Sequence, residues 1–184
     1  MEGISDATWS RGIKITHERV GHMDVYTLAI TYRGAAVLIV LKKCPIMGGS
    51  SAEVEGLALL KLSDWVVYAR IVAEKLGIDM SEPTTLLCDA ESALRVANGE
   101  AAAARLRHQL RRAAIVHERV RMGDISLAHV PDVANAVDIF TKWTSQEKLE
   151  TMLAYLTGGS SRRGATDEGG LTAALAVIAS WITS

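Results

Sequence analysis

The sequence contains little cysteine and few aromatic residues. Two cysteines occur among 184 residues, and aromatic side chains make up 5% of the chain. So few cysteines exclude a disulfide scaffold. Because Cys44 and Cys88 lie in or beside apolar stretches, we expect reduced thiols in an intracellular, cytoplasmic or nuclear compartment. The shortage of aromatic rings argues against a protein that reads single strands by stacking their bases.

Long apolar runs and a strong net charge are also missing. No run of about 20 uninterrupted apolar residues is present, so we expect no membrane span, and the N-terminus lacks the pattern of a signal peptide. A net charge of −1 excludes a uniformly basic protein. With 49% apolar and 22% charged residues, the chain has enough apolar side chains for a core. We expect one domain with a small appendage.

The stretch 84–94, TTLLCDAESAL, organises the rest of the chain. It begins after Pro83 as a short apolar run, which predicts a buried strand, and continues as a helix start after Asp89. In open α/β sheets, ligands bind at the carboxyl ends of strands. Asp89 is therefore a candidate functional residue. Asp6, Glu55 and Asp138 also fall where strands end or helices begin, and we expect them to converge on Asp89.

The remaining pattern predicts a regular alternation of elements. Two apolar runs around a glycine-containing turn indicate a β-hairpin. Apolar residues spaced three or four apart indicate helices. The predicted strands are 1–9, 23–32, 35–41, 84–88 and 125–130, and the predicted helices are 51–76, 89–97, 101–121, 133–143 and 146–156. Strands joined by a hairpin are antiparallel, whereas strands joined through helices are usually parallel. The fold class is therefore α/β, a mixed five-stranded sheet with helices on its faces.

The chain divides into three segments by composition. Residues 1–157 carry the predicted sheet and its helices. Residues 158–170 are rich in Gly, Ser and Arg and are expected to form a flexible linker. Residues 171–184 are apolar and rich in alanine, which predicts a short helix that cannot span a membrane.

Five blocks along the chain resemble the ribonuclease H domain at the end of the polyprotein of copia-type LTR retrotransposons. They lie at 5–9 (SDATW), 50–55 (SSAEVE), 88–93 (CDAESA), 107–108 (RH) and 130–142, which opens with VP and closes with VDIFTK. The predicted order of elements is also that of the ribonuclease H fold. The sequence departs from the family pattern at Gly56, which replaces a bulky residue, and at Ala90 and Glu91, which replace an amide pair.

The resemblance implies a nuclease with two Mg²⁺ ions, or Mn²⁺ in their place, held by Asp6, Glu55, Asp89 and Asp138. Physical chemistry agrees, because four carboxylates in one pocket repel each other until cations neutralise them. Glu53 is the alternative to Glu55, but Glu55 begins the Glu-x-x-Ala pattern of the wider superfamily. Each acid also has an ordinary structural interpretation: a surface residue for Asp6, compensation of the helix dipole for Glu55, an N-cap for Asp89 and a solvated helix residue for Asp138.

A basic stretch is the candidate nucleic-acid interface. Seven arginines and two glutamates lie between positions 95 and 121, in a chain that is otherwise acidic. Such a basic stretch is typical of contact with a phosphate backbone, although a solvated charged face is the alternative. The candidate contacts are Arg105, Arg107, His108, Arg111 and Arg112.

Three functions remain open from the sequence. The first is an endonuclease that hydrolyses the RNA strand of RNA–DNA hybrids, with a reverse transcriptase upstream in a parent polyprotein. The second is a catalytically decayed or repurposed nucleic-acid-binding domain of the same fold. The third is an exonuclease of the same superfamily.

Overall fold

The computed structural model describes residues 1–8, 24–45, 50–99, 107–142 and 145–158. The predicted linker beyond residue 158 and the predicted C-terminal helix lie outside these residues. No helix in the described part of the chain is long and apolar enough to cross a membrane. Both cysteines are free thiols, as predicted.

The centre of the fold is one five-stranded mixed sheet, as the sequence predicted. Its strands are β1 (Glu2–Thr8), β2 (Val25–Tyr32), β3 (Ala35–Lys43), β4 (Thr84–Cys88) and β5 (Ile125–His129). They lie in the order β3-β2-β1-β4-β5, so β1 is the central strand. The pairs β1–β2 and β2–β3 are antiparallel, whereas β1–β4 and β4–β5 are parallel. The predicted hairpin turns at Arg33 and Gly34, which both have positive φ, as two-residue hairpin turns prefer.

In the described ranges, four α-helices flank the sheet: α1 (Ser51–Lys75), α2 (Glu91–Ala97), α3 (Arg107–Arg121) and α4 (Gln146–Leu156). The pair Ser50-Ser51 before this helix predicts an N-cap, and the structure confirms it: the Ser50 hydroxyl accepts a hydrogen bond from the backbone N–H of Glu53. Ser145 caps α4 in the same way through the N–H of Lys148.

Two apolar clusters hold these layers together. The larger one packs α1, α2 and α3 on one face of the sheet, through Leu28, Leu62, Leu86 and their neighbours. The smaller one packs α4 and the segment before it on the opposite face, around Ile4 and Val137. Gly3 in β1 lies directly under α1: a Cβ added there would be 3.0 Å from Leu62 Cδ1 and from Leu86 Cδ2. The missing side chain therefore lets α1 lie close to the central strand.

The prediction of one helix over 133–143 is wrong. The chain instead forms two short 3₁₀ helices, Asp132–Ala134 and Ala136–Phe140. Asn135 separates them, and its fully buried side chain accepts from the N–H of Val137 at 3.3 Å and donates to the carbonyl of Ser5 at 3.1 Å. The extended backbone of Asn135 interrupts the helix, and its side chain fixes this break by capping the second 3₁₀ helix and bonding to β1.

The spacing of Leu106, Leu110 and Ala113 predicts an apolar stripe on α3, and this prediction needs correction at Leu110. Leu110 was expected on the buried face but is 45% exposed. The side chains that pack against the core are those of Val116 and Val120, which are one helical turn apart. Val116 and Val120 follow Ala113 at helical spacing and continue the stripe, whereas Leu110, near the N-terminal end of α3, lies outside the core.

Candidate active site

Two of the predicted acids are placed by the parallel pairing of β1 and β4. Ser5 and Cys88 are register partners at the last paired position of these strands. Asp6, still within β1, and Asp89, the first residue after β4, come next along these two strands, so they lie side by side where the pairing of β1 with β4 ends. Asp6 is fully buried on the central strand, which excludes the interpretation as a surface residue. Asp89 is not an N-cap either, because Ala90 holds that position in α2 without a side-chain bond.

Asp138 reaches the same edge from the second 3₁₀ helix. The side chain of Asn135 fastens this segment to Ser5, the residue before Asp6. The hydroxyl of Thr141 donates to Asp6 Oδ2, and the hydroxyl of Thr8 donates to the carbonyl of Thr141 at 3.1 Å. Asp138 is buried rather than solvated.

Glu55 enters the site from the N-terminal part of α1. Its side chain is 7% exposed, and one of its carboxylate oxygens, the Cys88 Sγ and one Asp89 carboxylate oxygen all lie within 4.8 Å of one another. Glu53, the alternative, points elsewhere: its Oε1 lies 3.8 Å from Nη1 of Arg112. The geometry therefore favours Glu55 over Glu53 as a member of the site.

The carboxylates are close enough to perturb one another. Burial, followed by the charges of Asp6 and Asp89, raises the pKa of Glu55 to about 9. Burial also raises the pKa of Asp6 to about 6; the Thr141 hydrogen bond and Lys142 oppose that rise, and Asp89 and Asp138 add to it. Asp6, Glu55, Asp89 and Asp138 thus form one electrostatically coupled group, here called the acidic centre.

Two lysines that the sequence did not single out as part of this group neutralise one side of the acidic centre. Lys142 Nζ lies 2.5 Å from Asp138 Oδ1 and 3.8 Å from Asp6 Oδ1. Lys148 Nζ lies 2.5 Å from Asp138 Oδ2. Burial alone would lower the pKa of Lys142, but hydrogen bonds to Asp132 and Asp138 outweigh it and the pKa is raised. Asp138 therefore has two ammonium partners.

The residues of the acidic centre fit a divalent cation. Within the described residues, no hydrogen-bond donor reaches the buried oxygens Glu55 Oε2 and Asp6 Oδ1, although Lys142 Nζ lies 3.8 Å from the latter. Unpaired buried carboxylate oxygens are costly unless a cation or a proton compensates them. Clustered carboxylate oxygens are also the ligands that Mg²⁺ and Mn²⁺ prefer.

His129 lies beside this centre, and part of the basic stretch is described on α3. His129 Nε2 is 3.2 Å from the carbonyl oxygen of Asp89, and its side chain is exposed. Arg111 is exposed on α3, whereas Arg112 is half-buried against Glu53. Arg105 and the side chains of Arg107 and His108 lie outside what the structure describes.

Further along α3, two more arginines of the basic stretch have partners within the protein. Arg119 Nη2 lies 2.8 Å from Asp64 Oδ1, and Arg121 Nη2 lies 2.6 Å from Glu118 Oε1. Arg111 and Arg112 are the predicted nucleic-acid contacts whose side chains the structure describes. Arg112 pairs with Glu53, whereas Arg111 makes no ion pair with a described residue.

Comparison with known proteins supports the fold. No protein-family model and no curated protein matches the sequence. Among solved structures, LC11-RNase H1 in complex with an RNA/DNA hybrid is similar with a TM-score of 0.51 and 17% identity, over 73% of this chain and 87% of that one. The native protease–reverse transcriptase of prototype foamy virus has a TM-score of 0.43 and 17% identity, over 89% of this chain and 21% of that one. We base no argument on this similarity. The chain therefore has a ribonuclease H-like fold.

Proposed function

We propose that this protein is a metal-dependent endonuclease that hydrolyses the RNA strand of RNA–DNA hybrids. The observation that carries the proposal is the acidic centre: four coupled carboxylates at the carboxyl edge of β1 and β4 in a ribonuclease H-like fold. The solved structure of similar fold, LC11-RNase H1, is bound to such a hybrid. The sequence blocks that resemble copia-type retrotransposons add the origin to the proposal, with a reverse transcriptase as the upstream partner.

In this proposal Asp6, Glu55 and Asp89 would hold the metal ions, and Asp138 would join them where the ions displace Lys142 or Lys148 from it. When bound there, Mg²⁺ or Mn²⁺ ions would activate the attacking water and stabilise the leaving oxygen. The protein's own part is to gather the carboxylates and to release protons. Because burial favours the protonated form of Glu55 and Asp6, both must lose their protons before they coordinate a cation.

A cleavage assay on an internally labelled RNA–DNA hybrid tests this function. We expect cleavage with Mg²⁺ or Mn²⁺ and none with Ca²⁺, whose longer and less regular coordination misplaces water and phosphate. Asp89→Asn should abolish cleavage and keep the fold, since Asp89 is half-exposed and makes no cap. Equal cleavage by that variant would assign the activity to another site. End-labelled RNA separates this function from an exonuclease, because an endonuclease releases internal fragments first.

One observation favours the second candidate, a nucleic-acid-binding domain that has lost catalysis. Asp138 is already neutralised by two ammonium groups, so it attracts a metal ion less strongly than a free carboxylate would. Hybrid binding without cleavage at any divalent-ion concentration would support this candidate.

A further inference from the structure

A thiol lies among the carboxylates at the end of β4. Its sulfur and one oxygen each of Glu55 and Asp89 are mutually within 4.8 Å, and we name these three residues the thiol–carboxylate cluster. Cys88 faces α1 because alternate residues of β4 are buried, Thr84 and Leu86 before it. The same alternation that makes Cys88 a core residue therefore brings its sulfur to Glu55.

The cluster has no cation of its own in the described part of the chain. The lysines of the acidic centre form their ion pairs with Asp138 and Asp6, and Lys142 acts on Glu55 only through its charge. No ion pair joins a described lysine or arginine to Glu55 or Asp89. Glu55 Oε2 is buried without a hydrogen-bond partner. A buried acceptor of this kind indicates a position that a cation can fill.

The donor set decides which cation fits. Mg²⁺ takes oxygen ligands and avoids thiols, whereas Zn²⁺ and the still softer Cd²⁺ favour thiolate. In a tetrahedral zinc site, bonds of about 2.0–2.3 Å place the ligand atoms roughly 3.5 Å apart. The three ligand atoms lie within 4.8 Å of one another, so each pair must approach by at most about 1.3 Å, which small side-chain rotations can supply.

We propose that Glu55, Cys88 and Asp89 form a binding site for a thiophilic divalent cation, Zn²⁺ or Cd²⁺, with one position left to water. On binding, the S–H bond of Cys88 breaks, a sulfur–metal bond forms and the proton passes to the buffer. The two carboxylates are shared with the acidic centre, so soft ions exclude Mg²⁺ from it. That inhibition rests on the proposed function, whereas the binding itself does not.

Cadmium binding to the metal-free full-length chain tests the site. A thiolate bound to Cd²⁺ gives an ultraviolet charge-transfer absorption that carboxylates do not give, so the readout is independent of nuclease activity. We expect one thiolate per Cd²⁺ at a 1:1 end point. Cys88→Ser should lose the band. Cys44→Ser, the matched control at the end of β3, should keep it.

Two further variants separate binding from folding. Cys88→Ala avoids a buried hydroxyl, and Cd²⁺ should raise the Tm of the wild type but not of this variant. Asp89→Asn keeps the thiol and should weaken cadmium binding at least about tenfold, because one charged ligand is lost. Circular dichroism of each variant without metal verifies its fold.

Three results overturn the proposal: no band in the folded wild type at saturating Cd²⁺, a band that persists in Cys88→Ser, or a band that disappears in Cys44→Ser. The outcome of the nuclease assay is independent of these cadmium results. A band without nuclease activity removes the proposed function and keeps this site, whereas cleavage without a band does the reverse.

Discussion

Lys142 Nζ lies 2.5 Å from Asp138 Oδ1, at the edge of the sheet where the four acids meet. The same ammonium group lies 3.8 Å from Asp6 Oδ1 and 2.9 Å from Asp132 Oδ1. One lysine thus bridges three carboxylates, two of which are candidate metal ligands. A divalent cation that binds to Asp6 and Asp138 must displace this ammonium group or share the carboxylates with it.

Replacing Lys142 should therefore strengthen divalent-cation binding. The Lys142→Met variant keeps a long side chain and removes the competing charge. We therefore expect Mg²⁺ to bind several-fold to about tenfold more tightly, a gain of about 1 kcal/mol in binding free energy. Isothermal titration calorimetry, in which Mg²⁺ is added to the metal-free protein, measures this affinity. Lys42→Met, on the exposed end of β3, is the control and should leave the affinity unchanged. Weaker binding in Lys142→Met would show instead that the lysine holds Asp138 in place for the metal.

The buried Glu55 should make the metal-free protein less stable as the pH rises. Its pKa is about 9 in the folded chain against an ordinary 4.5, so the protonated form is favoured by folding. That contribution is complete below about pH 4.5 and is lost as the pH rises through 9. Glu55→Gln cannot ionise, so its stability relative to the wild type should increase from pH 5 to pH 9, to at least about 1 kcal/mol.

Urea unfolding at several pH values in the presence of a chelator gives this difference. Glu53→Gln is the matched control on the same helix and should show no such trend, because Glu53 is paired with Arg112 outside the acidic centre. A Glu55→Gln variant that is uniformly less stable at every pH would mean that the carboxylate has a structural partner.

Two glycines should respond in opposite ways to alanine. Gly3→Ala places a methyl group 3.0 Å from two leucine side chains, so we expect a loss of about 1–3 kcal/mol in the free energy of unfolding. Gly56→Ala meets nothing within 4 Å inside α1 and should gain about 1 kcal/mol from helix propensity. Urea denaturation of both variants measures the pair. Equal effects would contradict the packing of α1 on β1.

The convergence of the acids could be predicted from the sequence because it follows from strand ends. Apolar runs and turn signals locate β1 and β4, and parallel neighbours bring Asp6 and Asp89 to the same edge. The 3₁₀ geometry before Asp138 could not be predicted, since it depends on the bond from Asn135 to Ser5, 130 residues earlier. The role of the four acids as metal ligands stays a prediction.

The sequence did not indicate that Lys148 pairs with Asp138 or that the Cys88 thiol lies beside Glu55, for a related reason. Lys148 lies on α4 among other charged residues and resembles an ordinary solvated side chain in the sequence. Only the packing of α4 beside the second 3₁₀ helix brings it to Asp138. Cys88 was interpreted as a core thiol, and it is indeed buried, but periodicity cannot show that the buried face ends against Glu55.

The basic helix α3 should contribute to hybrid binding through Arg107 and Arg111. Arg111 is exposed and makes no ion pair with a described residue, and position 107 lies one helical turn before it. If each neutralises one phosphate, replacing both by alanine should weaken binding similarly for all hybrid sequences. The double replacement should also make the plot of log binding constant against log salt concentration less steep. The slope should change by roughly 2 × 0.9, and somewhat less for a duplex that is not B-form. Cleavage at saturating substrate should change less, because neither arginine belongs to the acidic centre.

Binding titrations at several salt concentrations measure the slope. Arg121→Ala, whose exposed side chain is already paired with Glu118, is the control and should leave the slope nearly unchanged. An unchanged slope in the double variant would leave Arg107 and Arg111 as a solvated face and move the search for the duplex contact to Lys42, Lys43 and Lys142.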